Sequence, residues 1–138
     1  MSFDVSWYIE NRVIRASFSG ILTTDDFDMG AAALNELVNT GIAPVFVLVD
    51  CRDVAQLPPN FQQALQHVEK YSGNPLVAWT IVLTENAMVK FFSLMANKIA
   101  RTSTRTFKTH EEANAFIAHN APELAAALAP RREMLLAS

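Results

Sequence analysis

The amino-acid sequence predicts an α/β fold with a mostly parallel sheet, in the order β-β-α-β-α-β-α-β-α plus a C-terminal helical extension. Two runs, "VFVLV" (45–49) and "TIVL" (80–83), are apolar without polar alternation, which is typical of strands covered on both faces. Segments with apolar residues at helical spacing lie between the strands, and "TTDD" and "THEE" mark helix starts. Strands that alternate with helices in this way favour right-handed crossovers and parallel pairing.

The N-terminal part of the chain predicts a hairpin. The pattern indicates strands at residues 3–9 and 12–19, joined by a short turn. In the second strand Ile14, Ala16 and Phe18 alternate with other side chains, which gives that strand one drier face. The hairpin would add an antiparallel strand at one edge of the sheet.

The first helix follows this hairpin. Thr23 is a suitable N-cap, and it has Asp26 at the third helical position, where an acid also suits the helix dipole. Gly41 and Pro44 end the helix. Its apolar stripe consists of Phe27, Ala31, Leu34 and Val38.

The middle of the chain predicts a central strand, a helix and a second apolar strand. The stretch "VFVLVD" (45–50) forms the central strand. Pro58 and Pro59 open the next helix, because proline is tolerated in the first helical turn, and Gly73 ends it. Residues 76–84 then form the second apolar strand.

Two more helices and a short strand complete the predicted domain. Asn86 caps the third helix, and a strand follows at about 105–108. Thr109 and Glu112 have the spacing of a capping box at the start of the fourth helix.

Composition indicates one domain with a substantial core. The chain has 138 residues, of which 51% are hydrophobic and 18% charged. We expect a single domain at 1–120 and a helical extension at 121–138. The net charge of -3 gives no overall attraction to nucleic acid, and no apolar run is long enough for a transmembrane segment. The single cysteine, Cys51, rules out an internal disulfide, so we expect a cytoplasmic protein.

Four segments together resemble the SpoIIAA-like branch of the STAS superfamily. They are "VIRASFSGILTTDDF", "VFVLVDCRDV", "TIVLTENAMVKFFS" and "RTFKTHEEANAFI", and the likeness runs from about residue 5 to about residue 118. The order and spacing of the segments carry the match. The resemblance implies a sheet with (βα) superhelical repeats and a non-enzymatic role in binding or regulation.

The sequence departs from that branch at one informative place. The phosphorylated members have an Asp-Ser-Ser-Gly segment at the start of the helix after the central strand, and its serine is the phosphorylation site. Here no serine or threonine lies between Asp53 and Tyr71. The phosphorylation switch is therefore expected to be absent.

Polar residues follow the central strand at the edge where open α/β sheets bind their ligands. Together with the end of the neighbouring strand they form a candidate site for a ligand or a partner. An alternative needs no ligand: Asp50 caps the loop by accepting from nearby backbone amides, while Arg52 pairs with an acid. The candidate residues are Asp50, Cys51, Arg52, Asp53, Thr84, Glu85 and Asn86.

The third predicted helix is apolar nearly all round, so something must cover its second side. Phe91 and Met95 are candidate contacts there. Right-handed βα units would place their helices on one side of the sheet, and the other face also needs a cover. The C-terminal extension, a second subunit in a homodimer or a small apolar, lipid-like molecule could cover the helix. The N-terminal hairpin with Trp7 and Tyr8 or a partner subunit could cover the other face of the sheet.

The sequence contains no coherent catalytic set and implies no cofactor. Cys51 would need a nearby base, and the candidates are Asp50 and His67, which lies on the following helix. The histidines lack the short ligand pairs of zinc sites, and no glycine-rich phosphate loop is present. Our leading hypothesis is a non-catalytic domain that regulates a partner protein by contact. The alternatives are a carrier or sensor of a lipid-like molecule and a thiol-dependent enzyme using Cys51.

Overall fold

The computed structural model describes residues 3–58, 74–87, 89–90, 94 and 103–128. Within these ranges the chain forms a mixed α/β domain, and the predicted fold class is confirmed. The strands are β1 (Phe3–Ile9), β2 (Val13–Ile21), β3 (Val45–Gln56), β4 (Val77–Leu83) and β5 (Thr104–Phe107). The helices are α1 (Thr24–Val38) and α2 (His110–Asn120), followed by a short 3₁₀ helix (Pro122–Leu124).

The five strands form one sheet in the order β1-β2-β3-β4-β5. Strand β1 pairs antiparallel with β2, as the hairpin pattern predicts, and the remaining pairs are parallel. The turn between β1 and β2 includes Asn11 with a φ of 68°, a left-handed conformation that asparagine tolerates better than most residues.

Strand β3 continues past the point where the sequence predicts its end. It runs to Gln56, because β2 also continues to Ile21 and pairs with the added residues. The register shifts between two pairs, Ser17 with Asp50 and Ser19 with Asp53, so β3 carries one extra residue there. Such a bulge bends a strand and changes the direction of its side chains.

Helices lie on both faces of the sheet, so the expectation that they share one side is wrong. Residues of β3 alternate between the two cores: Phe46 and Leu48 pack with Ile117 of α2, whereas Val45 and Val47 pack with Val38 of α1. The described helices themselves therefore explain why this strand is apolar on both faces.

Side-chain caps fix the starts of the helices, as the sequence predicts. The Thr23 hydroxyl accepts from the Asp26 backbone N–H at 3.1 Å, and the Asp26 carboxylate accepts from the Thr23 N–H at 2.9 Å. The Thr109 hydroxyl accepts from the Glu112 N–H at 3.1 Å, but the Glu112 carboxylate accepts from that hydroxyl at 3.2 Å and not from the Thr109 backbone N–H, so only half of the predicted capping box forms. At the third predicted helix, Asn86 Oδ1 accepts from the backbone N–H at position 89.

The segment after α2 begins by packing onto the domain. Leu124 and Leu128 are buried in the same core as Ala113 and Ile117 of α2. Residues 129–138, most of the predicted extension, lie outside the described residues, as does the predicted second helix at 59–73. No helix among the described residues is long and apolar enough to cross a membrane.

Candidate functional site

Asp50 is the centre of a polar cluster on the α2 face of the sheet. Its side chain is only 6% exposed and accepts four hydrogen bonds from two arginines. Arg15 Nη2 lies 2.6 Å from Oδ2, and Arg52 Nη2 lies 2.8 Å from the same oxygen. Arg52 also donates to Oδ1 from its Nε at 2.9 Å and its backbone N–H at 3.1 Å.

The arginines determine the ionisation of Asp50. Burial alone would raise the pKa of this carboxyl, but the hydrogen bonds from Arg52 and the charges of both arginines hold the pKa below its ordinary value. The carboxylate is therefore ionised at neutral pH, and its oxygens are already occupied by donors.

Strand register brings these three residues together. Arg15 lies opposite Leu48 and the next inward position of β2, Ser17, lies opposite Asp50, so the arginine and the acid share one face. The bulge in β3 lies next to Arg52 and allows its side chain to bind the carboxylate of Asp50, two positions earlier in the chain.

His110 extends the cluster from the first turn of α2. Its Nε2 accepts from Arg15 Nε at 3.2 Å, and its ring stacks on Tyr8 with centroids 5.8 Å apart. Burial and the charges of Arg15 and Arg52 lower the pKa of His110 to about 4. The ring is therefore neutral at pH 7, and because Nε2 accepts a hydrogen bond, its proton is on Nδ1.

Two buried polar atoms beside this cluster lack hydrogen bonds. Within the described part of the chain, His110 Nδ1 and Asn114 Oδ1 have no partner, although both residues are more than nine-tenths buried. Asn114 Nδ2 lies 3.5 Å from the Tyr8 hydroxyl, which is a long hydrogen bond. A buried polar atom without a hydrogen bond lowers the free energy of unfolding, so these two atoms destabilise the folded domain.

Comparison with solved structures identifies the fold. A crystal structure of an uncharacterized protein from the DUF3478 family with a SpoIIAA-like fold, from Shewanella loihica PV-4, matches 83% of this chain and 90% of its own, with a TM-score of 0.60 and 13% sequence identity. The fold of this chain is SpoIIAA-like. No protein-family description and no curated protein matches the chain. The family resemblance in the sequence is thus confirmed as a resemblance of fold.

Two predicted site residues of this SpoIIAA-like domain, Asp50 and Arg52, belong to the cluster. Cys51, which lies between them in the sequence, does not. Asp50 and Arg52 are joined directly, which also matches the alternative in which Asp50 accepts from a backbone amide and Arg52 pairs with an acid. Cys51 lies on the opposite face, packed beside Ala16, Phe18 and other residues of the α1 core.

The environment of Cys51 opposes thiol chemistry. Burial and the negative charge of Asp50 raise the pKa of the thiol to about 12. A reactive thiol needs the reverse, a partly exposed setting with nearby positive charge. His67, one of the two bases in the thiol hypothesis, lies outside the described residues, and the other, Asp50, raises the pKa of the thiol.

The remaining predicted site residues are not part of the hydrogen-bonded cluster around Asp50. Asp53 is exposed, and its charge acts on Arg52. Thr84 is fully buried, and its hydroxyl accepts from the Asn86 backbone N–H at 3.0 Å, which makes it part of a turn. Glu85 and Asn86 are exposed. Phe91 and Met95 lie outside the described residues, so their predicted contact with a partner or an apolar molecule stays a prediction.

Sequence reasoning missed Arg15, His110 and Asn114 as members of the cluster, and it considered Tyr8 only as part of the hairpin that covers the sheet. The one available signal is Arg15, a charged residue in the middle of a strand, between two apolar positions that face the sheet interior. Such a charge is rarely buried unless it is paired. The position of Arg15 therefore predicts an acidic partner, but the sequence does not show which acid it is.

At neutral pH, Asp50 and His110 are both poor acceptors of a proton. Asp50 already has its acceptors filled, and a histidine with a pKa of about 4 is a weak base at neutral pH. Among residues 3–58, 74–87, 89–90, 94 and 103–128, no group of three acidic, histidine or cysteine side chains could hold a metal ion.

Proposed function

We propose that this SpoIIAA-like domain is a non-catalytic module that regulates a partner protein by direct contact in the cytoplasm. The observation that carries the proposal is the state of the ionisable groups at the carboxyl edge of the sheet. Asp50 is saturated with donors, His110 is neutral, and the Cys51 thiol has a raised pKa and lies on the other face. These groups stabilise a surface and supply no activated base or nucleophile.

The sequence that follows Asp53 indicates that contact with the partner protein is not switched by phosphorylation of this segment. The residues between Asp53 and Tyr71 include no serine or threonine, so that segment offers no hydroxyl for a kinase. We therefore expect binding to the partner to be regulated by the amount of this protein in the cell, or by a signal that acts on another part of the chain.

Site-specific photo-crosslinking in the host cell tests the proposal. A photoreactive phenylalanine analogue replaces Asp53, which is exposed at the carboxyl edge of the sheet. The matched control carries it at Ile42, which is 61% exposed before the start of β3, at the opposite edge. We expect one discrete crosslinked protein from position 53 and none at that mass from position 42.

Two results would contradict the proposed function. One is the absence of any crosslinked protein from position 53 in cells that contain the folded domain. The other is turnover of a small molecule by the purified protein that persists when the crosslinked partner is removed.

Self-association is a second part of the proposal. Large apolar side chains are exposed on the described surface, among them Met29 at 55% and Leu94 at 64%, which supports a homodimer. Sedimentation velocity at micromolar concentration should show the dimer. A strict monomer across that range would exclude it.

A further inference from the structure

We infer that Arg15 and Arg52, braced by Asp50, bind an oxyanion, and that this oxyanion is a carboxylate on an acidic segment of the partner. The inference rests on the proposed function and names the chemistry that the partner must present. It concerns a defined pair of side chains, so it can be tested on the purified domain without the partner.

The bracing fixes the direction of both guanidinium groups. Arg52 holds Asp50 through its Nε and Nη2, on the two carboxylate oxygens, which is a bidentate contact. Arg15 is held at two points as well, by Asp50 at Nη2 and by His110 at Nε. Because these side chains are already ordered, binding an anion costs them little further conformational entropy.

Each arginine keeps donors that the bracing does not use. Within the described residues, the Nη1 groups of Arg15 and Arg52 have no hydrogen-bond acceptor, and the two side chains are 29% and 40% exposed. Asp50, by contrast, is 6% exposed. An approaching group therefore meets the arginines and not the acid.

The local charge matches a carboxylate better than a phosphate. Arg15 and Arg52 carry two positive charges against the one negative charge of Asp50, and His110 is neutral, so the cluster has an excess of a single positive charge. Exposed Asp53 further reduces the field at Arg52. A singly charged, planar carboxylate fits that excess and the fork geometry of a guanidinium.

The surroundings favour a peptide over a small free acid. The cluster lies toward the carboxyl edge of the sheet, where β2 and β3 continue beyond the bulge, and open α/β sheets bind their ligands at this edge. Ile21, at the end of β2, is 66% exposed there and can contact an apolar residue that flanks the acid.

Titration with capped peptides tests the inference. The probes are a capped pentaglutamate peptide, a capped pentaglutamine peptide and inorganic phosphate, and the readout is the NMR signal of each arginine Nε–H. We expect saturable shifts at Arg15 and Arg52 with pentaglutamate only. The Arg52→Gln variant should weaken binding roughly tenfold, which is the loss of one charge-assisted contact.

Two further variants separate a specific site from general attraction. Arg12→Gln removes an arginine that also pairs with an acid, Glu123, but lies outside the cluster, and it should leave binding unchanged. Asp53→Asn removes the opposing charge and should strengthen binding about two- to threefold. The Asp53→Asn arm remains informative if Arg52→Gln proves poorly folded.

The inference is overturned if pentaglutamate causes no saturable shift, if pentaglutamine binds equally well, or if Arg12→Gln weakens binding as much as Arg52→Gln. Phosphate binding more tightly than the peptide overturns the assignment to a partner carboxylate. A discrete crosslink from position 53 combined with no peptide binding would leave the proposed function standing and remove this inference alone.

Discussion

Arg52 binds the carboxylate of Asp50, two residues earlier on the same strand, through its backbone N–H, its Nε and its Nη2. In a regular strand, residues two apart lie on one face but nearly 7 Å from each other, and a backbone N–H belongs to the ladder. The bulge in β3 releases this N–H, so Asp50 joins the local backbone to the arginine of a second strand. Strand β3 thus supplies both the central carboxylate, Asp50, and one of the two arginines that bind it, Arg52.

Replacement of Asp50 by asparagine should destabilise the domain. The substitution leaves Arg15 and Arg52 beside each other without the charge that holds them, and it turns an amide group toward their donors. We expect the free energy of unfolding to fall by about 2 to 4 kcal/mol, less than for a fully buried pair because the arginines are partly exposed. Urea denaturation at pH 7 measures this change.

Asp53→Asn is the matched control, since it alters an exposed acid on the same strand. Its effect should stay within about 0.5 kcal/mol. Equal losses from both variants would show that the strand, and not the Asp50 cluster, is sensitive to substitution.

The fold was predictable because its determinants are local. The run "VFVLV" predicts a strand covered on both faces, and Thr23 with Asp26 predicts a helix start from residues three apart. Both features depend on the chemistry of neighbouring residues. The end of β3 was not predictable in this way, because its last residues are held by pairing with β2.

The cluster was predictable only in part, for a related reason. Asp50 and Arg52 stand out where an apolar strand becomes polar. Arg15 and His110 join them through contacts across 35 and 95 residues, which no local pattern shows. Strand alternation predicts that Cys51 and Asp50 point to opposite faces of the sheet. Which helix covers each face depends on tertiary packing, which the sequence does not show.

The stability of the domain should fall on acidification through the range set by His110. The unfolded histidine takes up a proton near pH 6.5, whereas burial and the neighbouring arginines keep the folded ring neutral down to about 4. Between these values the unfolded state binds more protons, so the free energy of unfolding decreases as pH falls, by up to about 3 kcal/mol in total. The Asp50 contribution is lost only at still lower pH, because the folded pKa of that carboxyl is depressed.

Urea denaturation from pH 7.5 to 4 checks this dependence. His110→Gln should flatten the curve between pH 6.5 and 4, whereas His119→Gln, at an exposed position of the same helix, should keep the slope. A wild-type curve that is already flat in that window would contradict the prediction.

Asn114→Leu should stabilise the domain. The side chain is 2% exposed, its Oδ1 has no partner among the described residues, and its bond to the Tyr8 hydroxyl is long at 3.5 Å. Leucine has the same number and branching of side-chain heavy atoms and removes the unpaired atom, so we expect a gain of about 1 kcal/mol in the free energy of unfolding. Asn120→Leu, at an exposed position, should give no gain. A loss of stability in Asn114→Leu would mean that the amide is satisfied in solution.

The Cys51 thiol should be nearly inert in the folded protein. Because burial and the charge of Asp50 raise its pKa to about 12, the thiolate fraction at pH 8 is very small. Reaction with an aromatic disulfide reagent should be slower than in the urea-unfolded chain by more than about a hundredfold, and its rate should still be rising at pH 9.5. The unfolded chain is its own control, since it contains the same single cysteine. A rate that reaches half of its maximum near pH 8.5 would indicate an ordinary thiol and would contradict the raised pKa.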